Sequence, residues 1–259
     1  MSVIARTFAA RRDRGHAALV PYVTAGHPTS DATVPVLEAI AGAGADVIEL
    51  GIPFSDPLAD GPTIQRSSFL SLANGTTVAH VLAALTEFRR THDTPVVLFT
   101  YLNPVLRFGL DSFLGAAAAA GANGILLTDL PSGADPSMED AIIASPLDLV
   151  RLVAPTTAHE RIPEVVRGGS GFLYYISRAG VTGARAEIRS DLEGEVAAIR
   201  EVVSLPVAVG FGISTPEQAS RVGAVADGVV VGSALVQILE ERGIDAGAEF
   251  VATLRAVLS

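Results

Sequence analysis

Three groups of residues in the 259-residue chain carry types and spacings suited to chemistry. The first is Glu49, near the end of the apolar run Asp46-Val47-Ile48-Glu49-Leu50-Gly51. A carboxylate among apolar neighbours loses hydration, its pKa rises, and it becomes a usable acid or base near neutrality. The competing possibility is a salt-bridged or outward-facing glutamate. The second group is the loop from Gly51 to Thr63, stiffened by Pro53, Pro57 and Pro62, with Phe54 and Leu58 on an apolar side. It offers two carboxylates, Asp56 and Asp60, and spacing does not choose between them. Asp60-Gly61-Pro62 also reads as a helix start with proline in the first turn. The third group is a set of glycine-rich turns: Ser177 to Gly183, Gly210 to Ser214, and Gly232-Ser233-Ala234. Glycines let backbone N–H groups approach an anion, and a helix beginning at Ser233 would add its dipole. Ser233 has no obvious histidine partner, so it reads as a phosphate ligand and not a nucleophile.

Composition removes other chemistries. Cysteine is absent, which excludes disulfides, thiolate metal sites and thiol nucleophiles. All 18 basic residues are arginine, so no lysine is present for a Schiff base or as a general acid. His16, His27, His80, His92 and His159 form no H-x-x-x-H pair, which argues against a metal site. The formal net charge of -10 argues against a general grip on nucleic acid or anionic lipid. Ala17 to Ala25 faintly mimics a signal peptide, but Pro21 and Thr24 interrupt it, and it reads as a strand. No run reaches the roughly 18 apolar residues of a membrane span. The expectation is a soluble, cytoplasmic protein.

The elements that must position these groups follow from patterning. Short runs rich in β-branched residues fall at Leu19–Thr24, Asp46–Leu50, Pro95–Thr100, Gly124–Thr128, Asp148–Val153, Gly171–Ile176, Pro206–Gly210 and Gly228–Val231. Most lack clean alternation, as parallel strands covered on both faces do. Helical patterns lie between them at Thr33–Ala43, Val78–Arg90, Asp111–Ala120, Leu192–Val203 and Thr215–Val222. Eight strands alternating with helices predict an α/β fold, a single (β/α)8 TIM barrel spanning residues 1–259. A helix over Val3–Arg12 would cap the floor, and a short extra helix would follow the eighth strand. A doubly wound open sheet is the rival, but no G-x-G-x-x-G follows the first strand. No tandem repeat is visible. In a barrel the chemistry sits at the C-terminal strand ends, where all three groups fall. If Ile48 and Leu50 pack under the helices, Val47 and Glu49 point into the barrel. Asp129, after the fourth strand, would orient a neighbour or cap a helix, and Tyr101-Leu102-Asn103-Pro104 reads as a turn or a contact loop.

The chain resembles the α subunits of tryptophan synthase over nearly its whole length. The resemblance is carried by Pro21 to Gly26, by Glu49 to Gln65 (long and specific), by Ser177 to Gly183 and by Gly210 to Ile213. It implies a TIM barrel that cleaves indole-3-glycerol phosphate to indole and glyceraldehyde 3-phosphate. It implies no cofactor in this chain, with pyridoxal phosphate in a β subunit that receives indole within an α2β2 assembly. By resemblance, Glu49 is the acid/base and Asp60 engages the indole N–H. Thr182 belongs to a mobile loop closing over the site. Gly183, Gly212, Gly232 and Ser233 bind phosphate, and Tyr22, Phe99, Leu126, Tyr174 and Phe211 wall the pocket. The loop after the second strand and the Asn103-Pro104 loop would face the β subunit. His27 stands where the family often has an acidic residue.

The implied reaction fits the residues. Cleavage needs indole C3 protonated and the side-chain hydroxyl beside it deprotonated, and one pKa-raised carboxylic acid serves both steps. A second carboxylate stabilises charge developing on the indole nitrogen. Related phosphate-binding barrels look to need a catalytic lysine, which this chain lacks. Two alternatives are a stand-alone indole-releasing lyase and a catalytically silent barrel that only activates a β subunit.

Overall fold

Strands with no polar face need cover on both sides. The computed structural model, which describes residues 1–176, 191–210 and 212–259, supplies it. Its strands are β1 (Ala18–Thr24), β2 (Ile48–Gly51), β3 (Val96–Thr100), β4 (Gly124–Leu127), β5 (Asp148–Leu149), β6 (Arg151–Val153), β7 (Leu173–Ile176), β8 (Val207–Gly210) and β9 (Gly228–Val231). All pair in parallel, in the order β5-β4-β3-β2-β1-β9-β8-β7-β6. β5 and β6 are two pieces of the expected fifth strand, separated only by Val150. The Val150 N–H donates to Ile125 O of β4 at 2.9 Å, so the sheet curls into a nearly closed barrel. The expected barrel is therefore the observed one.

The helices around it are α1 (Val3–Arg12), α2 (Thr33–Gly42), α3 (Pro62–Ala73), α4 (Val78–Phe88), α5 (Leu102–Phe108), α6 (Leu110–Ala119), α7 (Pro136–Ala144), α8 (Ile162–Val165), α9 (Leu192–Val202), α10 (Pro216–Gly223), α11 (Ser233–Arg242) and α12 (Ile244–Val257). One sequence reading changes, and of the two offered for Asp129 one is observed. Tyr101 to Pro104 opens helix α5 and is not a free loop; Pro104 is tolerated because first-turn N–H groups lack intrahelical acceptors anyway. Asp129 caps that helix, its Oδ1 accepting from Leu102 N–H at 2.6 Å. Among the described residues no single helix is long and apolar enough to cross a membrane.

Strand alternation sorts side chains into two cores. Ile48 and Leu50 join the layer between barrel and helices, while Val47 joins Ala18, Val20, Val97, Leu126, Val150 and Phe172 inside. The inward register expected for Glu49 is thus the one observed. Helix α1 plugs the floor with Ile4 and Phe8, and Phe8 stacks on Phe172 with ring centroids 5.2 Å apart.

Among the described residues the floor is tied by a motif used four times. Leu19 N–H donates to Asp46 Oδ2 (2.8 Å), and Asp46 N–H returns to Leu19 O (2.9 Å). The same two-way link joins Val96 with Asn123, Leu149 with Ser170, and Val207 with Asp227. Each ties one strand's start to the residue leading into the next, which satisfies backbone donors the sheet ladder leaves open. Helix arginines reinforce three of the links: Arg11 and Arg255 on Asp46, Arg89 on Asn123 and Arg200 on Asp227. The sequence hides this repeat because only one acceptor position recurs, filled by Asp, Asn or Ser.

Candidate active site

At the opposite end, the C-terminal strand ends surround a cavity of about 120 Å³ that opens to solvent. Tyr22, Glu49, Asp60, Phe99, Tyr174, Gly212, Gly232 and Ser233 all line it. Strand register explains why the first two meet. β1 and β2 pair Tyr22 with Glu49, and both side chains turn inward at the same level.

Glu49 is buried, and its Oε1 has no hydrogen-bond partner. Burial pushes its pKa up to about 8, so the neutral acid is the form the fold favours near neutrality. Asp60 lies at the end of the proline-stiffened loop, just before α3. Gln65 Nε2 donates to Asp60 O at 2.9 Å and holds the loop against the first turn of that helix. Tyr101 Oη donates to Asp60 Oδ2 at 2.9 Å and accepts from Ala59 N–H at 3.0 Å. Burial raises the Asp60 pKa to about 6, while the Tyr101 hydrogen bond pulls it down. Asp56, the other carboxylate of the loop, is exposed and does not line the cavity.

Two tyrosine hydroxyls enter the cavity because glycine ends the adjacent strand. A methyl group on Gly51 would sit 2.1 Å from Tyr22 Oη, and one on Gly210 would sit 2.2 Å from Tyr174 Oη. Both phenols stay protonated, their pKa values raised chiefly by burial and further by the nearby carboxyl groups. Tyr22 also packs edge-on against Phe99, ring centroids 5.2 Å apart, which fixes one flat apolar wall. Across the cavity Gly212, Gly232 and Ser233 gather at the start of α11, whose first-turn amides have no intrahelical acceptor. One end is therefore acidic and aromatic, the other built of backbone donors. Such a cavity suits an aromatic molecule with an anionic tail.

Leu126 is the exception among the described wall residues. It is fully buried in the barrel interior beneath the cavity, and Thr128, just past the end of β4, reaches the lining instead. Thr182, Gly183 and Phe211 lie outside the described residues. Sequence reasoning missed Ile64, Leu152 and Ile176 on the wall and Tyr101 against Asp60. Period-two alternation from Val150, which faces inward, would have found Leu152. Among the described residues no cluster of His, Asp and Glu is arranged to hold a metal ion.

Comparison with known proteins agrees with this geometry. Residues 8–257 match the family model described as tryptophan synthase alpha chain. The chain is 47% identical to the tryptophan synthase alpha chain of Rhizorhabdus wittichii, covering 100% of this chain and 97% of that one. It is 46% identical to that of Geobacter sulfurreducens, covering 100% and 99%. Among solved structures, it superposes on tryptophan synthase from Mycobacterium tuberculosis with a TM-score of 0.92 at 37% identity, covering 99% of this chain and 98% of that one. The tryptophan synthase subunit alpha of Legionella pneumophila gives 0.92 at 35% identity, covering 100% and 98%.

Proposed function

The chain belongs to the tryptophan synthase alpha chain family, whose members cleave indole-3-glycerol phosphate, and from that premise we propose how its residues divide the work. Glu49 is the acid and then the base. Its neutral carboxyl gives a proton to indole C3, which turns the ring into an indolenine that can accept the bonding electrons. The resulting carboxylate takes the proton of the side-chain hydroxyl next to the ring. The C–C bond breaks, its electron pair returns to the ring, and the hydroxyl carbon becomes the aldehyde of glyceraldehyde 3-phosphate. Asp60, ionised, stabilises positive charge on the indole nitrogen in the indolenine. Tyr22, Phe99 and Tyr174 hold the ring, with Phe211 completing the wall and Leu126 packed beneath it. Gly212, Gly232 and Ser233, with Gly183, hold the phosphate, and Thr182 acts beside Asp60.

The observation that carries this reading is a buried carboxyl at Glu49, its Oε1 without a partner, sharing one cavity with Asp60 and with the amide-rich start of α11. Residues 1–259 act as one barrel in the cytoplasm. No cofactor is assigned to this chain, and pyridoxal phosphate belongs to a β subunit that takes up the indole in an α2β2 assembly. A stand-alone lyase is not favoured, because the full-length relatives are named as alpha chains of tryptophan synthase. The test is indole release from indole-3-glycerol phosphate by purified chain, with and without a β subunit. Slow release that the β subunit accelerates is expected. Full activity alone would favour the stand-alone enzyme. Activation of β with no indole released would leave only the silent barrel.

A further inference from the structure

The two ends of the cavity hang from two helices. Asp60 directly precedes α3, and Gly232-Ser233 opens α11. Whatever fixes α3 against α11 therefore fixes the span between the acidic end and the anion end. Part of that contact is apolar: Ile64 of α3, Val236 of α11 and Tyr22 of β1 form one small cluster that also walls the cavity. The rest is polar. Arg66, one turn into α3, grips Glu240 of α11 through Nη2 (2.7 Å) and Nε (3.0 Å). His27, in the loop after β1, sits behind the same carboxylate, its Nε2 3.5 Å from Glu240 Oε2. The His27 side chain is 1% exposed, and its Nε2 has no closer partner.

The buried face of α3 is unusual in being mostly polar: Ile64, Ser67, Ser68 and Ser71. Ser67 bonds to Thr24 Oγ1 (2.7 Å), Ser71 to Ala25 O (2.5 Å), and Asn74 to Gly26 O (3.0 Å). Directional bonds, not interlocking apolar side chains, thus set where α3 lies on the β1 loop. That loop continues directly into His27. Arg66, Glu240 and His27 close the circuit from the β1 loop through α11 back to α3.

We propose that Arg66, Glu240 and His27 form a positioning set that holds α3, and with it Asp60, at a fixed distance from the anion-binding start of α11. None of the three touches the cavity, so they act on the reaction only through Asp60 and its helix. The inference rests on the assignment of Asp60 to the indole nitrogen and of α11 to the phosphate. Apolar and amide contacts to the ground state survive a small tilt of α3, whereas charge stabilisation by Asp60 depends on placement. Loss of the set should therefore lower kcat more than it raises KM.

The experiment compares wild type, Glu240→Ala, Arg66→Glu and the swap Arg66→Glu with Glu240→Arg, all assayed for indole release with the β subunit present, alongside thermal melts. Both single variants should lose about fivefold in kcat, keep KM within about twofold, and melt within a few degrees of wild type. The swap should recover most of the kcat, because it restores the α3–α11 span with the charges exchanged and leaves the neutral His27 imidazole to accept from position 240. Single variants with wild-type kcat would overturn the proposal. So would a kcat loss that the swap does not recover, since the pair would then contribute only generic stability. A wild-type chain that releases no indole would instead remove the underlying assignment, and the proposal with it.

Discussion

Asp46 and Glu49 stand three residues apart on the run into β2, and the fold treats them oppositely. Asp46, at the barrel floor, accepts from Leu19 N–H and pairs with Arg11 and Arg255. Glu49, at the mouth, is as deeply buried and leaves one oxygen without any partner. The floor repeats its bond pattern around the ring, with arginines from helices at both ends of the chain. Among the described residues the mouth carries no such repeated link, and its two carboxyls, Glu49 and Asp60, are held at raised pKa values. A buried charge with every lone pair satisfied supports structure, whereas one left short of partners costs stability and holds a proton near neutral pH.

The largest effect that would break this contrast is at Glu49. Replacing it with Gln keeps the shape and removes the titratable proton. Indole release should fall by about a thousandfold or more, the upper range for a positioned acid/base. The melting temperature should hold or rise, because a desolvated carboxyl has been replaced by a neutral amide. Near wild-type turnover would end the assignment. The floor should answer the other way. Asp46→Ala leaves Arg11 and Arg255 facing an emptied, partly buried position, and should cost about 3 kcal/mol in denaturant unfolding. Turnover per folded molecule should stay within about twofold. A floor variant that lost activity while keeping its stability would show the two ends to be coupled.

How much of this contrast was legible in the sequence depends on the kind of signal involved. The eight strand runs and the inward turn of Glu49 followed from continuous apolar runs and period-two alternation, both backbone properties. The choice of Asp60 over Asp56 did not follow from spacing. It depends on how Tyr101 and Gln65 seat the loop, and those residues lie 41 and 5 positions away in the chain. Helix α5 was hidden because Asn103-Pro104 resembles a turn, while its cap, Asp129, comes from the following strand's loop. Leu126 was placed one level too high, since the strand ends stagger around a barrel and sequence does not display that stagger. The floor repeat was invisible for the opposite reason, because backbone groups supply half of each link.

The pH response should sharpen the comparison next. As an acid, Glu49 must start protonated, so kcat/KM should fall as pH rises through about 8. Asp60 must start ionised, so the rate should climb through about 6. Stability carries the sign of a raised carboxyl pKa. Below about 4.5 folded and unfolded chains both hold the Glu49 proton; between 4.5 and 8 only the folded chain does. Stability should thus decline across that window as pH rises and level off above it. Titrating unfolding free energy against pH checks this, and the Glu49 component of the slope should vanish in Glu49→Gln. An unchanged slope in that variant would place the proton elsewhere.

The smallest expected effect tests a single hydrogen bond. Tyr101 Oη donates to the Asp60 carboxylate, and a donor favours the charged form of its acceptor. Tyr101→Phe removes that donor and keeps the ring, whose centroid lies 5.1 Å from that of Phe54. The Asp60 pKa should rise by about one unit, the low end of what one hydrogen bond to a charged group supplies. The acidic limb of kcat/KM should move up by the same amount, while the alkaline limb, set by Glu49, stays put. Activity should then fall about fivefold at pH 6 and a little under twofold at pH 7. A tyrosine that served only as packing would lower the whole profile evenly or leave it alone. Displacement of one limb is the signature that separates a hydrogen bond tuning Asp60 from a ring that fills space.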